Sequence, residues 1–182
     1  ALDHDTFYYY DELNRLDLVV DAESYAIATT YGPTGTVESS TRHYDKVLGV
    51  VSVAVRPTVT ENSALDATTS FTYDDAGRVV AEEDAEGNVT HFQYDGRGNV
   101  VRVTAPGPDA PTSYNYYDGM DRLMLAIDAE GYATRTEYLA TTGEVWKVTR
   151  YATRATGIGE VEVVPGTPDD PEDAETIFAY DS

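Results

Sequence analysis

Hydrophobic positions along this chain alternate with polar ones in short runs, with no stretch at helical spacing. One such run is Arg78–Glu83 and another is Val89–Tyr94. In the second, Thr90, Phe92 and Tyr94 fall on one face and His91 and Gln93 on the other, the period of two that a half-buried strand requires. By the same alternation Leu16, Leu18 and Val20 share a face, as do Leu123, Leu125 and Ile127. Clusters of Asp, Gly and Asn separate the runs and supply the turns. Each pair of runs therefore predicts a β-hairpin, and successive hairpins predict an antiparallel meander. Strands of about six residues at ~3.3 Å each make a ribbon roughly 20 Å wide. The pattern offers no second layer. The apolar face is expected to be covered by the ribbon curling on itself, by other parts of a longer chain, or by cargo.

The hairpins repeat. Tyr10 to Tyr31, Tyr73 to Tyr94 and Tyr117 to Tyr138 are each 21 residues apart, and Tyr94 to Tyr117 is 23, the excess falling in the proline-rich stretch Pro106–Pro111. Tyr10-Asp11, Tyr73-Asp74 and Tyr117-Asp118 are each followed by an arginine five residues after the tyrosine, namely Arg15, Arg78 and Arg122. Asp-Ala-Glu comes next, headed by Asp21, Asp84 and Asp128. Gly35, Gly77 and Gly98 stand four residues after a tyrosine, where a positive φ suits a tight turn, and Gly87 and Gly131 do the same in the Asp-Ala-Glu-Gly turn, with Ser24 in the first copy. Asp84 heading that turn can bond the amides just beyond it.

A longer period lies above the short one. A shift of 107 lays residues 10–75 on 117–182 without a gap and matches Tyr25 to Tyr132, Tyr44 to Tyr151, Asp66 to Asp173 and Phe71 to Phe178. The whole of 1–182 reads as a single array with a long-unit boundary near 107–117. Stretches 45–68 and 152–175 depart from the Tyr-Asp pattern. Each holds an alternating run, Val51–Val55 or Glu160–Val164, followed by a proline and a polar loop, and is read as a loop excursion. The sequence closes on Tyr180-Asp181, the opening of another repeat, which suggests a piece of a longer array.

The recurring Tyr-Asp-x-x-Gly-Arg/Asn string, with Gly87-Asn88, Phe92, Tyr94-Asp95 and Gly98 completing it in residues 73–99, resembles the YD repeats of the RHS (rearrangement hot spot) family. That family includes polymorphic bacterial toxins, the shell of insecticidal toxin complexes, wall-associated proteins and teneurins. The resemblance implies an all-β ribbon of hairpins winding into a hollow shell, often around a C-terminal toxin domain. The family's self-cleaving aspartyl site and variable toxin have no match in these residues, so neither cleavage nor toxicity is carried over.

Charge narrows the partners. Twelve Lys and Arg against 33 Asp and Glu leave a net charge of −21, which suits neither the phosphate backbone of nucleic acid nor an anionic membrane surface. No apolar run reaches the roughly 20 residues that span a bilayer as a helix, so membrane insertion is not expected. The absence of cysteine removes disulfides and thiolate metal sites. Many acids with almost no lysine suit a protein kept soluble in high salt or an extracellular setting, and equally a GC-rich genome that favours Asp, Ala, Gly and Arg. A secreted or cell-surface setting is the expectation.

Candidate chemistry is sparse. Asp84 with Glu82, Glu83 and Glu86 is an acid cluster of the kind glycosidases use. Its acids recur with the turn at Asp21/Glu23 and Asp128/Glu130, whereas a catalytic pair occurs once, so a turn role is favoured. Asp169, Asp170 and Asp173 are weak calcium candidates in an acidic loop whose spacing fits no EF-hand. His4, His43 and His91 occupy unrelated repeat positions, which speaks against zinc. The tyrosines suit packing across neighbouring strands better than a sugar-binding platform, and Arg15, Arg78 and Arg122 are expected to pair with acids of adjacent hairpins. The expectation is a non-catalytic structural segment, without catalytic residues or a required cofactor, in a shell enclosing a toxin or other cargo. Its partners would be the remaining repeats and the enclosed domain. A fibre or adhesin of stacked 107-residue units, with neighbouring subunits as partners, is the alternative, and a calcium-dependent binding module is a lesser one.

Overall fold

A computed structural model of the chain describes residues 5–49, 51–158 and 171–179. No helix occurs among them. Thirteen strands form one sheet in chain order: β1 (Phe7–Tyr10), β2 (Leu16–Val20), β3 (Ala26–Tyr31), β4 (Val37–Arg42), β5 (Ala67–Tyr73), β6 (Val79–Glu83), β7 (Val89–Tyr94), β8 (Val100–Thr104), β9 (Thr112–Tyr117), β10 (Leu123–Ile127), β11 (Tyr132–Tyr138), β12 (Val145–Arg154) and β13 (Ala174–Ile177). Neighbours run antiparallel, and β1 and β13 are the edge strands. The fold is all-β, built of antiparallel hairpins. Two compact units divide it, Ala1–Val89 and Thr90–Ser182.

In the first unit Tyr9, Leu18, Val20 and Ala26 form the core on one face of β1–β3. Val47 completes it, with Val51 and Val59 packed alongside. These three valines belong to the excursion between β4 and β5, so the missing second layer is the excursion itself. Its path is fixed by polar contacts: the Val47 amide donates to the Ser24 carbonyl at 2.8 Å and the Tyr9 hydroxyl to the Ser52 carbonyl at 2.9 Å. Arg56 reaches Asp17 at 2.6 Å. Asp66 ties the two ends together, accepting from the amides of Tyr44 and Asn62 at 2.8 Å each and lying 3.0 Å from Nδ1 of the buried His43. The Val51–Val55 alternation does not become a strand. It makes one bridge, Ser52 to Val55, because the chain reverses within it, leaving Val53 87% exposed while Val51 packs on the core.

The second unit repeats this arrangement. Leu125, Ile127 and Ala133 are buried with Ala155, and Tyr114, Tyr116, Tyr151 and Ile158 pack around them. The Ala155 amide donates to the Gly131 carbonyl at 2.8 Å, as Val47 does to Ser24, and Asp173 accepts the Ala152 amide at 2.7 Å. The long period is not uniform. Val145 pairs with Tyr138 where Val37 pairs with Tyr31, so the turn after Tyr138 is one residue longer and the equivalence runs at 108 through this stretch. The Glu160–Val164 run, Asp169, Asp170, Tyr180 and Asp181 lie outside the described residues.

Strand alternation also needs correcting at Leu16 and Leu123. Tyr9 and Tyr10, adjacent on β1, pair with Leu18 and Leu16, so Asp17 is an extra residue that breaks the alternation. Met124 does the same on β10, where Tyr117 pairs with Leu123 and Tyr116 with Leu125. Leu18, Val20, Leu125 and Ile127 are buried, whereas Leu16 and Leu123 are only half-buried.

Leu18 is 2% exposed. Leu18→Ala is expected to lower the unfolding free energy by about 2–5 kcal/mol. Val53→Ala on the excursion tip should change it by less than about 0.5 kcal/mol. Chemical denaturation of the two variants checks the contrast.

Candidate functional site

The candidate residues are the repeat positions, and they build one device many times. Asp11 opens a five-residue turn in which its amide donates to the Arg15 carbonyl at 2.9 Å and the Asn14 amide returns to the Asp11 carbonyl at 3.0 Å. The Asp11 carboxylate closes the turn from inside. Its Oδ1 accepts the amides of Leu13 and Arg15, both at 2.9 Å. The same bonds recur at Asp74, Asp95 and Asp118. They recur again at Asp21, Asp84 and Asp128, so the Tyr-Asp and Asp-Ala-Glu turns are physically one turn.

The fourth residue of each turn is left-handed. Gly77, Gly87, Gly98 and Gly131 take φ of 78°, 79°, 97° and 90°, while Asn14, Ser24 and Asp121 take 59°, 69° and 61°. Asn and Asp tolerate this region better than other side chains, which explains their use where glycine is missing.

The strand leaving the turn distinguishes the two kinds. After every Tyr-ended strand the register slips by one residue, at Tyr10, Tyr31, Tyr73, Tyr94, Tyr117 and Tyr138. The extra residue is Asp17, Glu38, Val80, Val101, Met124 or Trp146. No slip occurs in β2–β3 or β10–β11, which flank Asp-Ala-Glu turns. A bulge disrupts the local ladder, and the next tyrosine serves the carbonyl that opens it. The hydroxyls of Tyr31, Tyr73, Tyr117 and Tyr138 donate to the carbonyls of Leu16, Val37, Val100 and Leu123 at 2.7, 2.7, 3.2 and 2.8 Å.

The arginines pair inside their own turns rather than with adjacent hairpins. Arg15, Arg78 and Arg122 present Nε and a terminal nitrogen to Oδ2 of Asp11, Asp74 and Asp118 at 2.6–2.8 Å. The Asx turn places residue five beside the free carboxylate oxygen, which is why i,i+4 wins. The Arg15 and Arg122 guanidinium carbons each lie 4.3 Å from the ring centroids of Tyr31 and Tyr138. Asn88 and Asn99 replace the arginine after Asp84 and Asp95, each donating its side-chain amide at 3.0 Å. Asn99 and Arg97 also reach Asp121 of the next Tyr-Asp turn, at 2.9 and 3.2 Å.

These bonds hold the carboxylates in the charged form. The Arg78 side chain and backbone hold Asp74 below the ordinary carboxylate range, and Arg122 does the same to Asp118. Bonds from the Arg15 backbone and side chain lower Asp11, and those from Asn88 and Asn99 lower Asp84 and Asp95. A carboxylate already accepting three bonds and kept ionised is a poor general acid. Phe92 is half-buried on β7, and no group of three His, Asp or Glu suited to a metal occurs among the described residues. Asp173 spends its carboxylate on the Ala152 amide. Asp66 and His43 were missed by motif reading, although the match of Asp66 to Asp173 was a usable signal.

Residues 73–110 match the RHS Repeat family model. That stretch is an RHS repeat. The chain is similar in fold to the crystal structure of TcdB2-TccC3, with a TM-score of 0.50 and 13% identity over 83% of this chain and 11% of that one. It is equally similar to TcdB2-TccC3 without its hypervariable C-terminal region, with a TM-score of 0.50 and 13% identity over 80% of this chain and 10% of that one. The chain thus spans about a tenth of the length of these structures. No curated protein sequence matches.

Two substitutions test the turn. Asp74→Asn is expected to lower the melting temperature at neutral pH. The ionised Asp74 contributes stability that is complete above the ordinary carboxylate range and is lost as pH falls through its lowered folded value, so the gap between the parent chain and the variant should close below about pH 4. A gap that stays constant down to pH 2.5 or so would contradict this. Gly98 has φ 97°, and a Cβ added there would meet no atom within 4 Å, so Gly98→Val is penalised by backbone alone, by about 1–3 kcal/mol. Gly96→Val, equally open and without a positive φ, should cost less than about 0.5 kcal/mol by urea denaturation.

Proposed function

We propose that this chain is a non-catalytic wall segment of a secreted or cell-surface RHS protein, its hairpins forming part of a shell around a toxin or other cargo domain. One observation carries the reading. The recurring Asp, Arg, Asn and Tyr side chains, the chain's best candidates for chemistry, are engaged in holding turns and bulges. The RHS repeat at 73–110 and the fold shared with TcdB2-TccC3 support a structural role of the shell type. Residues 1–182 then act as a single array, and the remaining repeats of a longer chain are its first partners. The repeat positions, including Tyr180 and Asp181, are proposed as structural rather than catalytic.

A second reading has its own support. Each unit carries an equivalent core with an equivalent cover, Val47 in one and Ala155 in the other. Such self-covered units suit stacking in an extracellular fibre or adhesin.

Negative-stain electron microscopy of the full-length protein separates the two. The shell reading expects closed hollow particles with internal density. Long rods with an axial repeat would overturn it in favour of the fibre.

A further inference from the structure

Eight residues after the turn tyrosine two of the repeats place a core leucine, Leu18 after Tyr10 and Leu125 after Tyr117, 2% and 8% exposed, and two others hold the small residues Ser39 and Ala81. After Tyr94 that position holds Arg102. Across the ladder it faces Gln93 on β7 and Tyr114 on β9. Its Nε is buried and has no hydrogen-bond partner. Its guanidinium carbon stands 5.7 Å from the Tyr114 ring centroid. Lys147 holds the matching position after the longer Tyr138 turn, and there the chain provides an acid, Glu175, at 2.5 Å. Among the described residues no ion pair involves Arg102. A buried guanidinium nitrogen without an acceptor is costly and calls for an explanation.

Arg102 lines a cavity of about 520 Å³ in the second unit, together with Gln93, Tyr114, Tyr116, Tyr117 and Met124. The volume is that of a small-molecule site. Asp95 also borders the cavity, but its carboxylate is turned into its own turn by the amides of Arg97 and Asn99 and the Asn99 side chain. The terminal nitrogens of Arg102, which unlike Nε are not buried, are therefore the groups offered to a ligand, and their fork matches a carboxylate. Three tyrosines and a methionine offer flat and apolar surface for the ligand's body. A net charge of −21 disfavours multiply charged anions.

We propose that this cavity binds a small, singly charged organic carboxylate with a flat apolar body. The proposal is independent of whether the chain serves a shell or a fibre. Titration of the 182-residue chain with benzoate, followed by NMR at the Arg102 Nε–Hε resonance, tests it. A saturable shift with Kd on the order of 1 mM is expected for so small a probe. Benzyl alcohol should bind at least about tenfold more weakly. Arg102→Leu puts the leucine of the Tyr10 and Tyr117 repeats at this position and should fold while losing benzoate binding, read by a second cavity resonance such as the Gln93 side-chain amide. Arg102→Lys, which keeps the charge and removes the fork, should weaken binding about fivefold or more. No saturable shift up to about 50 mM benzoate, equal binding of benzyl alcohol, or undiminished binding by the variants would overturn the proposal.

Discussion

Among the described residues, seven turns depend on a carboxylate that folds the backbone around itself. An aspartate at the first position of a five-residue turn accepts the amides of residues three and five, while residue four adopts a left-handed conformation. The turn length is thereby fixed, and with it the register of the two strands it joins. A one-residue slip would move every core side chain to the other face. Because the bonds are short-range and use one side chain, the device repeats wherever Asp and a residue tolerant of positive φ stand three apart, as at Asp84 and Gly87 or Asp118 and Asp121.

The bulge is the second half of the design. Adding one residue after each tyrosine bends the strand locally and exposes a carbonyl, which the tyrosine of the following hairpin occupies. Each of these tyrosines thus connects its own hairpin to the one before it, and the rings of Tyr31 and Tyr138 lie beneath the arginines that already brace Asp11 and Asp118. The polar groups near the ribbon edge are largely used up in this chain of contacts. That leaves the apolar face to the excursions, whose valines or alanines close each core.

Much of this was legible in the sequence, and what was not has a physical cause. The tyrosine period, the Asp/Gly turns and the strands around 79–83 and 89–94 arise from side chains that the backbone demands. The bulge leaves no such signature, because its extra residue can be Asp17, Val80 or Trp146 without preference. Its effect, that Leu16 leaves the face of Leu18, was therefore invisible to alternation. The excursion shows the limit of alternation from the other side. Val51–Val55 has the pattern of a strand, yet only Val51 is needed by the core, and the chain turns back at once. The arginine pairing required knowing that an Asx turn brings residue five against the free carboxylate oxygen.

Amide hydrogen exchange on the 182-residue chain tests the central claim most directly, because it reads the turn bonds one by one. The amides of Arg15, Arg78, Asn88, Asn99, Arg122 and Tyr132, each donated to an aspartate carboxylate, should exchange as slowly as the ladder amides of the strands they precede. Exchange at the rate of an unstructured loop at these positions, with the strands still protected, would contradict the account.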